Sequence, residues 1–322
     1  MKKILFFTHN IFTLENPEGY RIHQYFPYLE KIGFEVELLT TKEKFTNVLG
    51  CARSADVVYL QRVLLNPLKF SLLRMHAKKL VYDFDDAVMY GTKGESSTRR
   101  SRFARVVRNA DAVFCGNGFL CEEAGRHREN NTYYVPTVVD TGEYPVKDHY
   151  QKTPFVVGWT GSGATLRYLL DIEELLISVF DPENINFKVI ADRPPEIEAK
   201  GMVFEKWQKE KEKTALLDFD MGIMPVRDDM WSRGKCGLKL IQYMAAGLPS
   251  LTHPVGVARE MIENGVNGFL REDLDGWKDA VNELSGNVGL RKRMGKAARE
   301  FAEDKFSLQS WGPKVAEIIN SL

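Results

Sequence analysis

With 322 residues, 44% of them apolar, and 44 basic residues balanced by 44 acidic ones, the chain reads as a globular protein of about two domains without a net field for nucleic acid. Its four cysteines, Cys51, Cys115, Cys121 and Cys236, are scattered without a C-x-x-C pair or a histidine cluster, which argues against a zinc site and suits a reduced cytoplasm. No apolar run reaches the length of a transmembrane helix, and the opening MKKILFFTHNIF is read as a first strand because Thr8, His9 and Asn10 interrupt it.

Short apolar runs then alternate with amphipathic ones. Strands are predicted at KKILFFTH, VELLT, DVVYLQ, KLVYDF, AVFCGN and YYVPT, with helices over 20–32, 68–76 and 98–108. Such alternation is the mark of a parallel sheet covered on both faces. Between 138 and 153 the periodicity lapses into polar residues, glycine and two prolines, which places a linker there. The alternation resumes with FVVGWTG, a helix over 164–180, NFKVIAD, a charged helix over 206–217, MGIMPV, the helix LKLIQYMAAG, SLTH and GFL, and ends in two or three helices beyond 273. The expected fold class is α/β, two Rossmann-like domains facing across a cleft, over 1–145 and 154–305.

The stretch 219–247 says most about function. A buried-strand run, FDMGIMPV, leads through the acidic RDDMW to the basic glycine loop SRGKCG and then to the amphipathic helix. That order puts Arg233, Lys235 and a helix N-terminus at the carboxyl end of a strand, where an α/β sheet binds phosphate groups. At 100° per residue Leu238, Leu240, Ile241, Met244 and Ala245 share one side of the helix, and Lys239, Gln242 and Ala246 the other. A second such turn lies in FVVGWTGSGATL, where Gly158, Gly161 and Gly163 let backbone N–H groups face an anion, with the hydroxyls of Thr160 and Ser162 as further donors. Glycines of a plain tight turn have the same spelling.

In the first half three acids, Asp83, Asp85 and Asp86, follow the apolar run KLVY. Carboxylates that repel one another gain little from folding, so the cluster is a candidate site. Its spelling also fits the nucleophile motif of haloacid-dehalogenase phosphatases, with Asp83 and Asp85 as the acting pair. A place in the fourth strand, with no second acidic motif near a downstream lysine, argues against that alternative. Arg102, Arg105 and Arg108 share the outward face of a basic helix, which is either solvated or a contact for a phosphate-bearing acceptor or anionic lipid headgroups. Gly19, between Glu18 and Tyr20, opens the first helix, and His9 is the histidine singled out for exposure to a site.

The run DMGIMPVRDDMWSRGKCGLKLIQYMAAGLPSLTHPVGVAREMIENGVNGFL resembles the donor-binding half of the family 4 glycosyltransferases, retaining enzymes of the GT-B fold. The likeness continues through VVGWTGSGATLRYLLDIEELL, KKLVYDFDDAVMY, GNGFLCEEA and YYVPTVVDTGEY. It implies transfer of a sugar from a nucleotide-diphosphate sugar, held by the C-terminal half, to an acceptor held by the N-terminal half, with the last helix, in 306–322, crossing back to the first domain. Two departures stand out. The Arg and Lys usual in the first glycine loop are replaced by Trp159 and Thr160, and the family's two glutamates fall near Gly234 and Gln242. Arg233, Lys235 and Lys239 are the expected replacement charges, and the Gln242 amide the replacement for the ribose contact.

The residues assigned to catalysis are therefore Asp85, Asp86, Arg233 and Lys239. Donor binding is assigned to Gly19, Gly158, Thr160, Gly161, Ser162, Lys235, Gln242 and Glu260, and an acceptor or anionic surface to Arg102, Arg105 and Arg108. Fixed cations stabilise a leaving diphosphate without a metal, so no metal and no cofactor beyond the nucleotide-sugar co-substrate is expected. The acceptor is a glycan, a lipid-linked or a small molecule; the place of action is the cytoplasm, with peripheral contact at the inner face of the membrane, and no nucleic-acid partner is expected. The missing glutamates leave a non-catalytic nucleotide-sugar binding module as a further alternative.

Overall fold

The structure, a computed structural model, describes residues 1–9, 19–91 and 94–322; Glu18 lies outside them. It divides into two compact units. The first comprises Met1–Val138, Asp229–Cys236 and Leu308–Leu322, the second Val139–Asp228 and Gly237–Ser307.

The strands of the first unit are β1 (Lys2–Thr8), β2 (Phe34–Thr40), β3 (Val57–Gln61), β4 (Lys79–Phe84), a ribbon of β5 (Tyr90–Gly91) and β6 (Gly94–Glu95), β7 (Ala112–Cys115) and β8 (Thr132–Tyr134). Except for the antiparallel ribbon they form one parallel sheet in the order β2-β1-β3-β4-β7-β8. Successive side chains of a strand enter opposite faces. Leu5, Phe7, Val58, Leu60, Leu80 and Tyr82 accordingly pack on one face, and Ile4, Phe6, Val57, Tyr59 and Val81 on the other. The helix Leu308–Asn320 completes the second face with Val315, Ala316 and Ile319.

The second unit holds β9 (Phe155–Gly161), β10 (Ile185–Ala191), β11 (Met202–Lys206), β12 (Met221–Met224), β13 (Ser250–Thr252) and β14 (Gly268–Leu270). They too pair in parallel, in the order β11-β10-β9-β12-β13-β14. In each sheet the strand order reverses once, between β1 and β3 in the first and between β9 and β12 in the second. Connections leave these adjacent strands toward opposite faces, so a crevice opens beyond their carboxyl ends, where such sheets bind ligands.

Several elements differ from the sequence expectation. The helix predicted over 164–180 is two 3₁₀ segments, Gly163–Tyr168 and Leu170–Ile172, followed by the α-helix Glu173–Val179. Leu166, Leu169, Ile172 and Leu175 are buried at every third position, the period of a 3₁₀-helix. In place of a helix over 206–217 the chain forms two 3₁₀ turns, Lys209–Lys211 and Ala215–Asp218; the edge strand β11 precedes them, entered through a turn at Gly201, at φ +70°. The helix predicted over 20–32 begins as a 3₁₀ turn and becomes α-helical only at Phe26–Lys31, since Pro27 lacks an N–H and fits a first turn. The segment Asp229–Cys236, which chain order put within 154–305, is grouped with the first unit. Asn117 Nδ2 donates to the carbonyls of Arg233 (3.2 Å) and Lys235 (2.9 Å), and a Cβ on Gly234 would stand 2.5 Å from that of Ala87. Among the described residues no helix is long and apolar enough to cross a membrane.

A Cβ on Gly158, within β9, would stand 2.0 Å from the buried ring of Phe219. Gly158→Ala is expected to cost about 1–3 kcal/mol in urea denaturation, the range for overpacking. Gly50, inside the helix Phe45–Ser54, has no such neighbour within 4 Å, and Gly50→Ala is expected to stabilise by about 0.5–1 kcal/mol.

Candidate active site

In the first unit, polar side chains gather where β1, β3 and β4 end. Thr8 Oγ1 donates to Gln61 Oε1 at 2.7 Å, and Gln61 Nε2 donates to Asp85 Oδ1 at 3.5 Å. Below them Asp83 is fully buried and clamped by Arg21, whose Nε donates to both carboxylate oxygens (3.1 and 3.0 Å) and whose Nη2 donates to Oδ1 (2.5 Å). Arg21 Nη1 also donates to the Val135 carbonyl at 2.6 Å. Burial pushes the Asp83 carboxyl up, and the Arg21 charge opposes that shift. Both oxygens of Asp83 are thus held by a buried guanidinium, which leaves it a poor nucleophile for a phosphatase.

Arg62 stands just beyond β3 at φ 60°, a left-handed conformation that costs a non-glycine residue about 1–2 kcal/mol. Its N–H donates to the Asp83 carbonyl at 2.8 Å, its Nη2 pairs with Asp86, and its Nε lies 3.6 Å from Asp85 Oδ1. Asp85, against the effect of burial and with help from Asp86, keeps the guanidinium charged. Burial raises the Asp86 carboxyl to about 6, with Arg62 opposing and Asp85 adding to the rise. The Cys236 thiol is pushed up to about 11 by burial and then by Asp85 and Asp86, so it stays protonated near neutrality. Alongside lies a cavity of about 520 Å³ lined in part by His9, Arg62, Leu64, Arg99, Arg102 and Trp231. The His9 pKa is lowered by desolvation and then by the charges of Arg62 and Arg99.

In the second unit the helix Leu238–Ala245 is fixed against the ends of β9 and β12. It starts at Gly237, at φ +70°, where a Cβ would meet Val257 at 2.9 Å. One turn in, Tyr243 accepts the Thr160 N–H at 3.1 Å and donates its hydroxyl to the Ile223 carbonyl at 3.3 Å. Four residues earlier on the same face, Lys239 lays its chain across the end of β9. Its Nζ is 5.1 Å from the ring centre of buried Trp159, and its Cε would be 2.6 Å from a Cβ on Gly161. Trp159, which replaces the expected basic residue, is therefore the platform on which a lysine from another element rests. A cation over an indole face is stabilised by about 0.5–1 kcal/mol at an exposed site.

The structure brings Gly158, Thr160, Gly161 and Lys239 together at the switch point of the second sheet. Ser162 and Glu260 are exposed, and the Gly163 N–H is taken by the Asp192 carboxylate. Gln242 is nearly buried, its amide donating to Tyr144 Oη (3.4 Å) and Glu212 Oε1 (3.3 Å). Asp85, Asp86 and Gly19 lie in the first unit, as do exposed Arg233 and half-buried Lys235 through their grouped segment. Of the three helix arginines, Arg102 lines the cavity whereas Arg105 and Arg108 are exposed. Sequence reasoning passed over Thr8, Gln61, Arg62, Arg99 and the Arg21–Asp83 pair. Polar residues ending apolar strands, Thr8 in KKILFFTH and Gln61 in DVVYLQ, were the available signal.

Residues 154–287 match the family described as "Glycosyl transferases group 1". Over 82 residues the chain is 38% identical to spore coat protein SA of Bacillus subtilis (strain 168), a match that covers 24% of this chain and 21% of that protein. In fold it is similar to Anabaena HepE, solved in complex with UDP and glucose (TM-score 0.75, 16% identity, 100% of both chains). It is also similar to a sucrose-phosphate synthase from Thermosynechococcus elongatus (TM-score 0.74, 12% identity, 100% of this chain and 99% of that one). A third similar structure is the lipopolysaccharide outer core galactosyltransferase WaaB (TM-score 0.71, 13% identity, 99% of both chains). The fold is that of the GT-B glycosyltransferases, and the group 1 match, which lies mostly in the second unit, supports a glycosyltransferase.

Replacing Asp83 by Asn leaves the Arg21 charge buried without its partner. Asp83→Asn is expected to cost about 3–5 kcal/mol in urea denaturation, as for other broken buried pairs. A loss under about 1 kcal/mol, the worth of a surface pair, would contradict the clamp.

Proposed function

We propose that the protein transfers a sugar from a nucleotide-diphosphate sugar to an acceptor hydroxyl, as a family 4-like enzyme that retains anomeric configuration and uses fixed cations where other transferases use a metal. The observation that carries this reading is Lys239, held over Trp159 at the switch point of a sheet whose residues match the group 1 family. A lysine held there meets the negative charge that gathers on the departing diphosphate. Because HepE was solved with UDP, a uridine nucleotide is the first donor to test. Arg233 and Lys235 enter as further anion-binding cations, Gln242 and Glu260 as donor contacts, and the protein works in the cytoplasm.

The chemistry balances without another reagent. The bond from the sugar's anomeric carbon to the phosphate oxygen breaks and a bond to the acceptor oxygen forms. The acceptor's proton goes to the departing phosphate, on the same face of the sugar. The acceptor belongs to the first unit, where Asp85 or Asp86 accepts a hydrogen bond from its hydroxyl; Gln61 and Arg62 position the two carboxylates. A catalytically idle binding module remains a second reading, favoured by the engaged amide of Gln242 in place of a glutamate. Tight UDP binding with no transfer to any of a broad set of acceptors would select it.

Lys239→Ala is expected to weaken UDP binding by about 1–3 kcal/mol in calorimetry, as for loss of a charge-assisted contact. An unchanged Kd would contradict the reading. Since Asp86 ionises at about 6, kcat/KM is expected to fall as the pH drops through that value, and Asp86→Asn to lower the rate and abolish this acid limb.

A further inference from the structure

The cavity of the first unit is lined by three arginines, Arg62, Arg99 and Arg102. Arg62 is already paired with Asp86 and approached by Asp85. Arg99 and Arg102 form no ion pair among the described residues; Arg99 Nη1 donates to the Val88 carbonyl at 3.3 Å and Arg102 Nη1 to the Leu64 carbonyl at 3.4 Å. These backbone contacts orient the two guanidinium groups at the cavity wall, since Val88 and Leu64 line it too. A guanidinium has five N–H groups, so most of each fork remains for a ligand.

We propose that the acceptor carries a phosphate or diphosphate group and that Arg99 and Arg102 bind it in this cavity. The inference rests on the glycosyltransferase reading above and adds the chemical class of the acceptor. Two guanidinium charges match a phosphomonoester dianion or a diphosphate diester, whereas one sugar carboxylate would neutralise only half of them. Trp231 and Leu64, which also line the cavity, offer an apolar surface for a sugar ring or the first carbons of a lipid chain.

The test is calorimetric titration of the full chain with inorganic pyrophosphate under saturating UDP, which occupies the donor site. The Arg99→Gln/Arg102→Gln double variant is expected to bind pyrophosphate at least tenfold more weakly, with UDP affinity unchanged and the lysine double variant partly restored. Arg99 is exposed and Arg102 half-buried on the helix Ser97–Asn109, and neither belongs to its buried side, so the variants are expected to fold. Equal pyrophosphate affinity in wild type and double variant would overturn the proposal. Failure of either protein to bind UDP would instead sink the glycosyltransferase reading itself. A parallel series sets a soluble hexose phosphate against a prenyl diphosphate in detergent micelles, and the tighter, arginine-dependent ligand names the source of the phosphate. Arginine-dependent binding of neither, or preference for glucuronate, would also overturn it.

Discussion

The candidate chemistry depends on one constraint of parallel sheets: adjacent strands whose connections leave to opposite faces cannot both be covered at their carboxyl ends. Each unit has one such place, between β1 and β3 and between β9 and β12. Away from these points most strands of the two sheets send apolar side chains into cores. At the two switch points the chain places groups that a core does not accept: Thr8, Gln61 and the neighbouring acids in one, and glycines beneath a lysine in the other. Removing these crevices would leave the polar residues without purpose and expensive to bury.

Rigidity around each crevice has a separate origin. In the first unit the buried Arg21–Asp83 pair joins the start of the N-terminal helical turn, the end of β4 and the Val135 carbonyl. A buried pair of this kind adds little net stability over an apolar substitute, and its value lies in specifying one arrangement. That arrangement holds Asp85 and Asp86 just beyond β4, where Arg62 meets them from a strained backbone. In the second unit the fixing contacts are neutral: Tyr243 bridges β9 and β12, and Gly222, with no side chain, admits its ring. Lys239 inherits its position from that bridge.

Much of the fold was legible in the sequence because parallel strands buried on both faces spell themselves as apolar runs, and KKILFFTH, DVVYLQ, KLVYDF and FVVGWTG are such runs. β11 was not, because Met202, Val203 and Phe204 are a short run without alternation that leads into the charged Glu205 and Lys206. The 3₁₀ stretch at 163–172 spells like an α-helix, because a period of three and one of 3.6 differ little over two turns. At the site, Asp85, Asp86, Gly161 and Lys239 were recognisable by type and place in a motif. Arg62 and Arg99 were not, since an arginine shows its role only through the carboxylates or carbonyls that tertiary packing brings to it. The grouping of Asp229–Cys236 with the first unit was likewise invisible, for it rests on Asn117 and Ala87, more than a hundred residues away in the chain.

The most direct measurement is a crystal structure of the protein soaked with UDP. The diphosphate is expected at the carboxyl ends of β9 and β12, with a phosphate oxygen within hydrogen-bond distance of Lys239 Nζ and the lysine chain still resting on Trp159. A nucleotide bound away from that switch point, or density for none at saturating concentration, would contradict the assignment.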